Sequence, residues 1–167
     1  RTADAGKHIG EHPGLQFDKL FQDVLFPVCS PALLEGHKPL KEPRDLLHHT
    51  LAHIEWSRLG VTWPNWRMWM AAAGVDEYDG SNTIVFGASS NAVDAAMAGD
   101  AVALADFAMV ANDLSEGRLL RPFDLSIKVS PEYAYFLVYP EGTAKDPRVI
   151  AFRDWILSET AALHDSE

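Results

Sequence analysis

Thr83-Ile84-Val85-Phe86-Gly87-Ala88-Ser89-Ser90-Asn91-Ala92-Val93-Asp94-Ala95-Ala96-Met97-Ala98-Gly99 decides the fold class. A β-branched and aromatic run, a small polar turn and an Ala-rich segment read as strand, turn and helix. Gly87 permits a sharp turn, and Ser89, Ser90 or Asn91 can cap the helix by accepting a backbone N–H. Gly99 stops it. A junction of this kind directs unpaired N–H groups and small hydroxyls at one spot, where a carboxylate or another small polar ligand can bind.

The same alternation extends in both directions. Downstream, Ala101 to Ala105 reads as a strand, and 108–116 as a helix stopped by Gly117. The stretches 119–123 and 133–139 read as further strands, the latter apolar enough to be buried on both faces. Asp146-Pro147 opens a last helix, with Val149, Phe152 and Ile156 on one face, and the chain from Thr160 is expected to fray. Upstream, 15–20 is a short strand and 21–28 a stronger one, followed by a short helix from Pro31 with Ser30 as its cap. A single helical turn follows at 44–47, then a strand at 50–56. Pro64 to Gly74 reads as a helix whose Trp66, Met70 and Ala73 form an apolar stripe. The expected architecture is α/β with a mainly parallel sheet.

Composition narrows the function. With 167 residues and 47% hydrophobic content, the chain can bury a core and form one domain or two small lobes. Its formal charge is −10, and its Lys and Arg are dispersed, which argues against a nucleic-acid-binding face. The single cysteine, Cys29, forbids an intrachain disulfide and suits a reducing cytoplasm as a small buried hydrophobe. No window approaches the roughly eighteen apolar residues of a membrane span, and no secretion signal is evident. The chain starts at Arg1 rather than Met, so an upstream portion is expected.

Catalysis finds little support. Gly87-Ala88-Ser89 is similar to the nucleophile elbow of α/β hydrolases, but Asn91 stands where the second glycine belongs. The only histidine after Ser89 is His164. His48, His49 and His53 lack further ligands at metal spacing, so no metal or cofactor is expected. Among the tryptophans, Trp66 fits a core position, and Trp63 is the candidate for facing a ligand. Asp106-Phe107 leaves a strand at its carboxyl end, the place where open α/β sheets hold ligands.

In order and spacing, several segments together resemble the effector-binding domain of LysR-type transcriptional regulators, in the subgroup of glycine-cleavage and β-lactamase regulators. They are Leu25-Phe26-Pro27-Val28-Cys29-Ser30-Pro31, Trp66 to Gly74, Ile84 to Gly99, Gly117-Arg118-Leu119 with Arg121-Pro122-Phe123, Leu137-Val138-Tyr139-Pro140 and Ala151 to Leu157. The resemblance covers about residues 21–158. It implies a periplasmic-binding-protein-like (type II) fold: two α/β lobes with a ligand cleft between them, the chain crossing near Ser30 and Ser130. Residues 31–130 would form the second lobe, and 1–30 with 131–167 a first lobe incomplete in this chain.

The resemblance further implies a non-enzymatic, cytoplasmic sensor that assembles as a homodimer or homotetramer. It would bind a small, carboxylate-bearing effector and contact DNA only through a winged helix-turn-helix outside these residues. Effector binding would change the angle between the lobes. The family's cleft-facing positions fall on Cys29, Ser30 and Pro31, on Ala88, Ser89, Ser90 and Asn91, and on Asp106 and Phe107, with Trp63 as a further wall. A free-standing solute-binding protein is the alternative reading.

Overall fold

The computed structural model describes residues 12–36, 38–54, 63–131 and 134–164. The chain divides into two units, 1–23 with 129–167 and 24–128. The chain passes between the units at Asp23/Val24 and Lys128/Val129, where the sequence suggested crossings near Ser30 and near Ser130. The run expected at 21–28 is broken at Gln22-Asp23. Leu15–Phe21 (β1) stays in one unit, while Val24–Val28 (β2) enters the other and is buried along its whole length.

The larger unit holds a five-stranded sheet. Its other strands are Leu51–Ile54 (β3), Thr83–Phe86 (β4), Val102–Asp106 (β5) and Ile127–Lys128 (β6), in the order β4-β3-β5-β2-β6. β3 runs parallel to both β4 and β5, but β2 is antiparallel to β5 and β6. The sheet is thus mixed, not mainly parallel. Helices Trp66–Ala72 (α2) and Ser89–Ala98 (α3) supply the crossovers that parallel neighbours require. Phe107–Ser115 (α4) leaves β5 directly, and Ala32–Glu35 (α1) is a single turn after Pro31, without the side-chain cap expected from Ser30.

Alternation along β3 sorts the core into two layers. Ala52 faces a cluster with Phe26, Val28, Ala92, Val93 and Ala96 under α3. Leu51 faces the other, with Trp66, Trp69, Met70 and Cys29. Both indoles also bond to backbone: Trp66 Nε1–H donates to the Ala52 carbonyl at 2.8 Å, and Trp69 Nε1–H to that of Leu125 at 3.1 Å. Trp66 therefore takes the expected core role, and Trp69 shares it. Asn65, rather than Pro64, opens α2, its Oδ1 accepting from the Met68 N–H at 3.1 Å. The stretch 119–123 forms no strand; Leu120 makes one isolated bridge to Cys29. A 3₁₀ turn, Pro43–His48, replaces the expected helical turn and carries a reciprocal capping box between Glu42 and Asp45.

In the smaller unit, β1 pairs antiparallel with Tyr135–Pro140 (β7), and Pro147–His164 (α5) lies against β1. β7 was expected to be buried on both faces. As half of a two-stranded ribbon it leaves Tyr135 and Val138 exposed instead. On α5, Phe152 (52% exposed) and Trp155 (54%) do not line a buried stripe either. Thr160, placed in a fraying tail by the sequence, is buried and its hydroxyl donates to the Ile156 carbonyl at 2.8 Å. The expected ends of the strands at Trp56 and Tyr133 lie outside the described residues.

Cys29 supplies a prediction at this level. It is fully buried, and burial disfavours the thiolate, pushing its pKa from 9.0 up to about 11. Unfolded chains lose the thiol proton first, so the contribution is intact below pH 9.0 and is lost as pH rises through about 11. Urea midpoints near pH 8 and about pH 10.5 should fall further apart in the native protein than in Cys29→Ala. Equal falls would show that Cys29 is not the group responsible.

Candidate functional site

The carboxyl ends of β3, β4 and β5 form one edge of the sheet, and two helices begin there. Gly87 and Ala88 carry the chain from β4 into α3, with Ala88 at the cap position in extended geometry (φ −146°, ψ 146°). An alanine has no side-chain acceptor, and no side-chain cap bond is present. The first-turn N–H groups of α3 therefore lack the partner that Ser, Thr, Asp or Asn at the cap would give. Ser89 is half-buried there, while Ser90 and Asn91 are exposed. The sequence offers one of these three as the cap. They lie inside the helix instead, so their side chains remain available.

The neighbouring junction is built differently. Asp106 caps α4, its Oδ1 accepting from the Met109 N–H at 2.9 Å. That bond gives Asp106 a structural duty and sets a carboxylate, unwelcoming to an anion, over the start of α4. Phe107 is the first residue of α4 and is partly exposed. Ala88 to Asn91 and Asp106-Phe107 therefore share one sheet edge.

Cys29, Ser30 and Pro31 do not join them. In the antiparallel register Leu25 lies opposite Asp106 and Val28 opposite Ala103, so β2 leaves the sheet at the end where β5 begins. The Ser30 N–H donates to the Ala96 carbonyl at 3.1 Å, in the last turns of α3. Ser30 also sits 3.8 Å from where a Cβ on Gly99 would lie. Its role is to close the far end of α3, and the whole length of that helix separates it from Ser89. The expected mainly parallel sheet leaves β2's antiparallel direction unread, since no local pattern reveals it.

Trp63 precedes α2 and is half-buried, its carbonyl accepting from Asn65 Nδ2 at 3.3 Å. His49 Nε2 bonds with the Lys38 carbonyl at 2.8 Å, and His53 stands apart on β3. Among the described residues no three His, Cys, Asp or Glu side chains converge as metal ligands. No described helix is long and apolar enough to cross a membrane.

The larger unit is a mixed α/β unit, entered and left by the chain at adjacent points and carrying an uncapped helix at the carboxyl edge of its sheet. Residues 5–161 match the LysR substrate binding domain, and the chain belongs to that family. It is 38% identical over 153 residues to the glycine cleavage system transcriptional activator of Escherichia coli K12, covering 92% of this chain and 48% of that protein. Identity to the transcriptional activator AmpR of Pseudomonas aeruginosa is 32% over 153 residues, 91% of this chain and 48% of AmpR. The chain thus spans about half the length of these curated relatives.

Among solved structures, the effector domain of Pseudomonas aeruginosa AmpR matches with a TM-score of 0.64 and 30% identity, over 92% of this chain and 69% of that one. The Citrobacter freundii AmpR effector binding domain matches with a TM-score of 0.65 and 25% identity, over 92% and 71%. The fold is the type II periplasmic-binding-protein-like fold of these domains. The relatives are transcriptional regulators.

Proposed function

We propose that this chain is the effector-sensing region of a bacterial LysR-type transcription factor, non-enzymatic and cytoplasmic. A small carboxylate-bearing effector is read at the start of α3. The observation that carries this reading is the uncapped first turn, where Ala88 leaves backbone donors open beside the hydroxyls of Ser89 and Ser90. The positive end of the helix favours an anion there. DNA is contacted through a separate module of the full-length regulator, in keeping with relatives about twice as long, and the protein acts as a homo-oligomer. Occupancy of the effector site alters DNA binding through a coupling free energy between the two sites.

Ser90→Glu tests this without threatening the fold. Ser90 is exposed, and a carboxylate in the first helical turn stabilises the helix by about 0.3–1 kcal/mol. The same carboxylate repels an anionic effector and competes for its donors. The full-length regulator bearing Ser90→Glu should lose its effector response in a transcription reporter while keeping operator binding. A normal response would place the effector elsewhere.

A further inference from the structure

On the opposite face of the sheet from α3, a cleft of ≈ 400 Å³ lies along the exposed edge of β4, walled by His53, Trp66, Arg67, Tyr78, Thr83 and Val85. Its faces differ in character. Val85 offers apolar surface, being 58% exposed although it is a strand residue, and Trp66 lies buried beneath the floor. Opposite Val85 stand groups with hydrogens to give. Tyr78 Oη and Thr83 Oγ1 are 2.8 Å apart, so one hydroxyl donates to the other and the second keeps its proton free.

Arg67 is the singular member. Arg44 pairs with Glu77, Arg118 with Asp113, Arg148 with Asp146 and Arg153 with Asp154, and Arg121 donates to the Phe123 carbonyl. Arg67 lies over the Tyr78 ring at 6.0 Å and acts on the Asp79 carboxylate only at a distance. Among the described residues it has no hydrogen bond and no ion pair. In a chain of charge −10, a guanidinium left with its planar fork of donors beside a cleft is a carboxylate acceptor in waiting.

We infer that this cleft is a second small-molecule site, for a monocarboxylic acid with a compact branched apolar tail. Arg67 and the Tyr78–Thr83 hydroxyl pair receive the carboxylate, and the exposed Val85 receives the tail, with the buried Trp66 beneath it as the reporter. One unpaired cation, partly offset by Asp79, suits a single negative charge better than a phosphate dianion. The site is independent of the one proposed at α3, since Leu51 and Trp66 lie in one core layer and Ala52 and Ala92 in the other.

The test follows the Trp66 indole N–H and the Val85 methyl resonances of the 167-residue chain while 3-methylbutanoate is added. A saturable shift in the millimolar range is expected, with the amide resonances of Ser89 to Asn91 unmoved. The neutral 3-methylbutanamide, or the exposed substitution Arg67→Gln, should weaken binding about tenfold or more, the loss of a charge-assisted contact. Absence of a saturable shift overturns the inference. So does equal binding of acid and amide, unchanged binding by Arg67→Gln, or movement confined to Ser89–Asn91.

Discussion

Trp66→Ala should destabilise the protein by about 3–5 kcal/mol, the range for removing a large aromatic side chain from a core. Trp66 is 1% exposed and Trp69 is 0% exposed, and their rings meet edge to face with centroids 6.0 Å apart. Truncation leaves a cavity against Trp69, Leu51 and Met70 and strands the Ala52 carbonyl that Trp66 Nε1–H satisfies. Trp66→Phe separates the two contributions. It refills most of the volume but leaves that carbonyl without its donor, at about 1–3 kcal/mol. Urea unfolding followed by Trp69 emission measures both. An unchanged midpoint for Trp66→Ala would mean that α2 is not part of the cooperative core.

Ser89→Ala with Ser90→Ala carries the second large effect, on affinity rather than stability. Each hydrogen bond to a charged group contributes about 1.5–3 kcal/mol. Losing both hydroxyls should therefore weaken effector binding about 100-fold, or more if the bonds are strong. Alanine is the best helix former, so α3 should not loosen. The contrast with Ser90→Glu is informative, because the alanine pair removes attraction and the glutamate adds repulsion. An effector response that survives the alanine pair but fails with the glutamate would assign binding to the backbone N–H groups alone. Survival of both would remove the site.

Much of the larger unit was legible because its signals are local. Thr83–Phe86 is the strand that was read, and its β-branched run and the glycine after it are sufficient warning. α3 ends at Gly99 with φ 83°, and α4 is followed by Gly117 with φ 69°, both left-handed positions that glycine adopts without strain. The sheet itself was not legible. Nothing in Val24–Val28 states which way it runs beside β5, and that direction places Ser30 at the wrong end for the site. The exposure of Tyr135 and Val138 likewise follows from how many strands flank β7, a property of the assembled unit rather than of its residues.

The site was half legible for a related reason. Small polar residues after a strand announce a helix start, so Ser89 to Asn91 stood out at once. Whether such residues cap or merely follow the cap depends on one residue of phase, and Ala88 takes the cap position. Arg67 carried no signal at all. Its interest comes from being brought beside Tyr78 and Thr83 with no acid paired to it among the described residues, which only the tertiary structure decides.

The most direct measurement is a titration of the isotope-labelled 167-residue chain with small amino and carboxylic acids, following the backbone amides of Ser89, Ser90 and Asn91. Saturable movement of these amides by at least one carboxylate, lost in Ser90→Glu, is the result the account predicts. Amides at the start of α3 that stay fixed through the whole panel, or that move equally in Ser90→Glu, would contradict it.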